Sequence, residues 1–526
     1  MKKLLIIPVL LLGCLASNAQ RHDNPFAVTP DPEVPVTYQN PVIPGFYSDP
    51  SICRVEDDYY LVTSTFQYFP GVPVFHSKDL VNWEKIGYCI DRKDQLPMGL
   101  NIFACTIRYH EGKYYMITTN TGQGGNFYVT ATDPAGPWSD PVWVDLPGID
   151  PDLFFDDDGK VYAISSPFIL YEIDLETGEL LTEGKKIWWG AGGRYAEGPH
   201  IYKKDGYYYL MAAEGGTEEA HSETIARSNT IWGPYTENPA NPILAHANAA
   251  GQNSAIQGVG HADMIKAHDG SWWMVHHGYR KVVPYPVHHI LGRETCLAPV
   301  TWPQYGWPVV NGNGAITVDM RTPTLPLKPF PEKPARTDFN QQNLGLEWNF
   351  IQAPSDFYEI KNGALHITGL PLRIGEEGSP AFVGRRLQHH DFTATTTLHF
   401  DPKNKNEEAG MTILNQDQHF DIHVKRLEDS RILYVQMKFG DVIYKSKTII
   451  LEPGPVDLKI AGKQGRFIFS YAQNNGFKEI DRVEARYLST ETVGGFTGVY
   501  VGLYATGNGS RSEEQARFDY FEYEKN

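Results

Sequence analysis

The sequence predicts an all-β protein, a five-bladed β-propeller followed by an antiparallel β-sandwich. Three observations predict it. One aromatic-rich hairpin pattern recurs five times, a proline-rich stretch ends the recurrence, and the remainder alternates apolar and polar residues at the period of strands. Long amphipathic helical patterns are absent, which disfavours a helix-rich α/β architecture.

The repeat opens on a polar or small residue, passes an apolar position, turns at Gly or Asp and ends in aromatics. Its copies are DPSICRVEDDYYLV from Asp49, ACTIRYHEGKYYMI from Ala104, DPDLFFDDDGKVYAI from Asp150, EGPHIYKKDGYYYLM from Glu197 and HADMIKAHDGSWWMV from His261. The spacing of these starts is close to the ~40–50 residues of a four-stranded blade. Each copy reads as a hairpin turning at pairs such as Asp158-Gly159, Asp205-Gly206 or Asp269-Gly270. Between copies, FHSKDLVNW, VTATDPAGPW and IARSNTIWGPY supply outer strands. The recurrence places the propeller over 38–322. Residues 323–336, PTLPLKPFPEKPAR, hold five Pro and read as a stiff linker. Segments such as DFTATTTLHF, RILYVQMKF and RFIFSYAQ then predict a sandwich over 337–526.

The N-terminus carries an export signal. Two Lys, an apolar run from Leu4 to Leu15 and Ser17-Asn18-Ala19 mark residues 1–19 as a cleavable signal peptide. Leu12-Gly13-Cys14 also loosely matches a lipoprotein site, so the expected location is the periplasm, or a lipid anchor at the outer membrane if Cys14 is modified. No later run reaches the ~20 apolar residues of a membrane span. Cys53, Cys89, Cys105 and Cys296 form no CxxC pair and read as buried free thiols rather than zinc ligands or disulfides. A net charge of -17 argues against nucleic acid. No glycine-rich strand-to-helix loop points to a nucleotide enzyme. Oligomeric state is left open.

In a propeller the first strand of every blade lines the central channel, so the first residues of the five copies converge. These are Asp49, Ala104, Asp150, Glu197 and His261. Three converging carboxylates repel one another and raise each other's pKa, an arrangement that function explains better than structure. Two carboxylates across a glycosidic bond suffice for hydrolysis, one protonating the leaving oxygen and one activating water. A non-catalytic binding propeller has no reason to keep all three.

The motifs NPVIPGFYSDPSI (Asn40 to Ile52), GIDPDLFFDDDGKVY (Gly148 to Tyr162), YAEGPHIYKKDGYYYL (Tyr195 to Leu210) and ILGRET (Ile290 to Thr295) closely resemble glycoside hydrolase family 43. The tail resembles the concanavalin-like sandwich of its β-xylosidase-type members. The resemblance implies Asp49 as general base, Glu197 as general acid, and Asp150 as the residue that raises and orients the acid, with inversion at the anomeric carbon. It implies substrate contacts for Arg293 beside Asp150, for His261 near the channel centre, and for Phe66 on the sugar wall. Phe103-Ala104-Cys105 stands where relatives commonly have Trp-Ala-Pro, so Phe103 makes a smaller wall. Phe496, in Gly495-Phe496-Thr497, matches a capping loop from the sandwich. No cofactor is required, while Asp338 and Asp519 are candidates to share a structural calcium ion.

The resulting expectation is an exo-acting, inverting glycosidase releasing β-D-xylose from the non-reducing ends of arabinoxylan-type oligosaccharides. α-L-Arabinofuranosidase or dual activity is the alternative. An endo-arabinanase, which needs an open groove, ranks below both. The 30 Tyr and 11 Trp fit either an all-β core or sugar stacking.

Overall fold

A computed structural model describes residues 37–96, 99–283, 285–321 and 326–526. The leader, Cys14 and linker residues 323–325 lie outside the described residues. Nearly all regular structure is β-strand, in two units.

The first unit is the five-bladed propeller. Its inner strands are Ser51–Val55, Ile102–His110, Asp152–Phe155, Glu197–Lys204 and Ile256–Lys266, each pairing antiparallel with the next strand of its copy. The turns follow from their residues. At Asp205-Gly206 both φ values are positive (51° and 82°), the type I′ geometry that matches strand twist. At Gly159 and Gly270 only the glycine is left-handed, so these hairpins close with one more residue than a two-residue turn. The ring is sewn shut by the chain start: Tyr38–Gln39 pairs with Asp319–Met320, and Asn40 exchanges hydrogen bonds of 2.8 and 2.9 Å with the Leu297 backbone.

A polar hub ties the blades together one step below the channel mouth. Arg108 Nη1 donates to Asp263 (2.7 Å), and its Nη2 donates to Asp152 (2.9 Å) and lies 3.0 Å from His200 Nδ1. Ser51 and Tyr202 each donate to Asp263 at 2.7 Å. All five blades therefore contribute to one network. Arg108→Met leaves two buried carboxylates without their cation, and we expect it to destabilise the propeller by about 3–5 kcal/mol, the usual scale for breaking a buried pair. Thermal unfolding measures this, and an unchanged midpoint would show the hub to be dispensable.

The second unit is the sandwich. One sheet runs from Tyr358–Lys361 through Phe392–His399 to Lys478–Glu484, and the other from Phe382–Arg386 through Glu408–Asn415 to Val442–Lys445. Alternate residues such as Met411, Ile422 and Val435 meet Leu458 and Phe469 in the core between them. Arg336, at the end of the sequence-defined linker, pairs with Glu522 as part of a strand of this unit, because Arg336–Thr337 completes the sheet edge. Further back, Lys328 N donates to Asp79 at 2.5 Å, which holds the linker against blade one.

The two units are joined by backbone as well as side chains. Phe350–Ile351 pairs with Tyr68–Phe69 of blade one, and Tyr68 stacks on Tyr500 at 3.9 Å. Cys53, Cys89, Cys105 and Cys296 are buried free thiols. Among the described residues, no helix is long and apolar enough to cross a membrane.

Candidate active site

The five repeat-opening residues meet at one end of the channel, as their shared repeat position requires. Asp49, Ala104, Asp150, Glu197 and His261 line a cavity of about 100 Å³ with Phe66, Phe103, Ile149, Thr217, Arg293 and Phe496. None of the hub residues Arg108, Asp152, His200 and Asp263 lines this cavity.

Local backbone geometry aims these side chains. Asp49, Asp150 and His261 adopt φ of 56°, 55° and 48°, a left-handed conformation that costs an ordinary residue about 1–3 kcal/mol and persists only where the surroundings impose it. At Asp49 and Asp150 the inner strand starts two residues later, and at His261 the kink falls at the register shift between Gly260 and Asp263 inside the strand. Gly198, at φ 58°, follows Glu197. A Cβ there would stand 2.9 Å from His261 Nε2, so a glycine is needed for His261 to lie alongside.

Asp49 is 3% exposed and heavily partnered. Arg293 Nη1 donates to its Oδ1 at 2.5 Å, and Ser48 donates to Oδ2 at 2.9 Å, as does Ser64. His277 Nδ1 lies 3.0 Å from Oδ1 and 3.2 Å from the Asp49 backbone nitrogen, and His261 Nδ1 lies 3.6 Å from Oδ1. Burial alone would raise this carboxyl, but the charge of the Arg293 guanidinium holds it well below the usual range, so it is ionised. Burial depresses His261 to about 4 and His277 to about 3, leaving both neutral near pH 7.

Glu197 has the opposite environment. Burial, then the charge on Asp49, push it up to about 7, with Arg293 opposing. Asp150 is pushed well above the carboxylate range by burial and by the charges of Glu197 and Asp49, against a hydrogen bond from the Gly198 backbone. One pocket thus holds a carboxylate kept ionised and a carboxylic acid kept protonated, the division of labour that acid–base chemistry on one bond needs.

Three aromatic rings form the wall. Phe66 lies 5.2 Å from Phe103 and stacks on Phe496 at 5.6 Å, and Arg293 sits over Phe66 and Phe496 at 5.9 and 5.8 Å. Phe496 is delivered by the sandwich, just before the strand Tyr500–Thr506, so the second unit completes the pocket.

Arg293 lines the pocket together with Asp150, whose carboxyl feels its charge, while its hydrogen bond goes to Asp49. The reason is register: Tyr47 N bonds Arg293 O, which sets that arginine against the strand entry of blade one. Its neighbour Glu294 is taken by Arg280 at 2.7 and 2.8 Å. Asp338 and Asp519 are likewise committed elsewhere, Asp338 to Arg336 (2.5 Å), Asp519 to His399 and Arg517 (2.8 Å each). Carboxylates already neutralised by cations do not fit the oxygen cage that calcium takes.

Sequence reasoning missed Ser48, Ser64, Thr217 and His277. His277 sits in the second strand of blade five, opposite Gly260 in the ladder, and its only sequence signal is the His276-His277 pair inside an otherwise apolar strand.

Residues 38–308 match the family model described as glycosyl hydrolases family 43, and residues 336–524 match the β-xylosidase C-terminal concanavalin A-like domain. A non-reducing end α-L-arabinofuranosidase from Bacteroides ovatus is 43% identical over 505 residues, spanning 93% of this chain and 94% of its own length. A xylosidase/arabinosidase from Butyrivibrio fibrisolvens is 40% identical over 524 residues, covering 93% of this chain and 100% of the relative. A solved structure, the Bacteroides ovatus xyloglucan PUL GH43B, superposes with a TM-score of 0.90 at 42% identity, over 93% of this chain and 100% of that one.

Proposed function

The chain belongs to glycosyl hydrolase family 43, and from that premise we propose that it is an exo-acting, inverting α-L-arabinofuranosidase trimming terminal arabinose from arabinan- or arabinoxylan-type chains. That it hydrolyses glycosidic bonds follows from the family. The preferred sugar is the proposal. The name of the Bacteroides ovatus relative favours arabinofuranose over the β-xylose reading. The double name of the Butyrivibrio relative supports accompanying β-D-xylosidase activity.

One observation carries the reading: Asp49 held ionised and Glu197 raised to about 7 share one pocket of about 100 Å³. In the proposed mechanism a terminal sugar ring enters against Phe66 and Phe496. Asp49, ionised, draws a proton from water as that water attacks the anomeric carbon, and Glu197, protonated, hands its proton to the departing oxygen. Arg293 keeps Asp49 ionised and oriented. Asp150 competes with Glu197 for a proton, and the negative charge the pair shares keeps that proton available. A pocket this small, with Phe496 of the sandwich on its wall, supports cleavage at chain ends rather than within them.

Export to the periplasm, or tethering through Cys14, is a further part of the proposal and rests on the leader alone.

Release of 4-nitrophenol from matched α-L-arabinofuranoside and β-D-xylopyranoside is the test. We expect kcat/KM to favour the arabinofuranoside by about tenfold, a difference of about 1.4 kcal/mol in transition-state binding. A preference for the xyloside restores the β-xylosidase reading, and turnover of neither by folded protein rejects both.

A further inference from the structure

The sandwich sheet that carries Phe496 has a second polar concavity, away from the catalytic pocket. Strand alternation sends Met411, Ile422 and Val435 into the core, so their neighbours face outward. The ladder register sets Thr412, Asp421, Gln436 and Lys445 side by side in one row across four strands. The next row holds Tyr504, Gly410, His423 and Tyr434. A polar row beside an aromatic one is thus built into the sheet.

Of these rows, Asp421, Gln436, Lys445 and Tyr504 line a cavity of about 670 Å³, walled by Arg373 to Glu376 and by Lys405 and Asn406. The floor is preorganised. Asp421 is 2% exposed, with Oδ2 bound to His419 Nδ1 at 2.7 Å, while its Oδ1 has no partner. Buried polar atoms are normally satisfied, so the open Asp421 Oδ1 on the cavity floor calls for a ligand that supplies a donor.

Charge narrows the class. Five cations and three carboxylates (Glu376, Glu408 and Asp421) line the cavity. Lys425 pairs with Glu408 at 2.5 Å and Lys438 with Asp417 at 3.3 Å. Glu376 takes the Arg373 backbone N–H. Among the described residues, no carboxylate lies within ion-pair distance of the Arg373, Lys405 or Lys445 side chain. On a chain of net charge -17, an unneutralised cationic lip over hydrogen-bonding groups selects an anion rich in hydroxyls.

We propose that this cavity is a second, non-catalytic carbohydrate site that takes a uronic-acid residue. Sugar hydroxyls donate to Asp421 Oδ1 and exchange hydrogen bonds with Gln436, the ring lies against Tyr504, and the carboxylate meets Lys445 and Arg373. Such a site holds an acidic polysaccharide while the propeller trims it. The choice of polymer rests on the glycosidase reading, and nitrophenyl glycoside hydrolysis by the same preparation reports that reading separately.

The test is calorimetric titration of the full chain, its catalytic pocket filled with arabinose. The probes are a glucuronic-acid-substituted xylo-oligosaccharide, an oligogalacturonate and a neutral xylo-oligosaccharide. We expect an acidic probe to bind, and Lys445→Ala and Asp421→Asn each to weaken it at least tenfold with hydrolysis of the aryl glycoside unchanged. Which acidic probe binds identifies the source of the uronate. Lys445 is on the surface, so its variant keeps the test open if Asp421→Asn folds poorly. Equal binding of the neutral probe, insensitivity to Lys445→Ala, or no binding outside the catalytic pocket overturns the proposal.

Discussion

Glu197→Gln should lower kcat on an arabino-oligosaccharide by about 10²–10⁴-fold, the range general acid catalysis supplies, and lower it far less on a 4-nitrophenyl glycoside. An alkoxide leaving group needs its proton, and nitrophenolate does not. The pH profile gives an independent reading. Glu197 must be protonated to act, and burial with the Asp49 charge places its pKa at about 7, so wild-type kcat/KM should fall as pH rises through about 7. The acid limb belongs to Asp49, which must be ionised and is held well below the usual carboxylate range, so activity should persist to low pH. In Glu197→Gln the alkaline limb should disappear with the aryl substrate. Equal losses on both substrates, with the limb intact, would remove Glu197 from the acid's role.

Asp49→Asn should cost a comparable 10²–10⁴-fold, but equally on aryl and oligosaccharide substrates, because water must be activated whatever leaves. Asparagine keeps the shape and an oxygen facing Arg293, yet it cannot take a proton. The change also strips a buried cation of its counter-charge, so a stability loss of up to about 3–5 kcal/mol accompanies it. Circular dichroism separates the two effects: folded protein without turnover supports the base, whereas folded protein turning over aryl substrate at wild-type rate would falsify it.

The propeller was legible because each blade must bury both faces of a four-stranded sheet, which imposes one pattern of apolar and aromatic positions five times. The same repetition made Asp49, Asp150 and Glu197 legible, since equivalent positions in a ring necessarily face one axis. His277 and Ser64 were not legible, because they stand on second strands or their exits and reach Asp49 only through ladder register. The Arg108 hub was hidden for a related reason. Its partners Asp152, His200 and Asp263 come from three other blades, and only the closed ring brings them together. The polar face of the sandwich was missed because alternation says that one face is polar without saying whether it meets water or encloses a cavity.

The sequence by itself determined the architecture, the repeat positions that converge and the family. These are consequences of local pattern, set by strand period, turn residues and motif. Tertiary structure alone decided the protonation of those carboxyls. Asp49 and Glu197 are the same functional group, and each repeat delivers them alike. Arg293, brought from blade five, holds one ionised, while burial and the charge on Asp49 hold the other protonated. A pKa depends on charges and solvent in space, and only the folded chain fixes where those are.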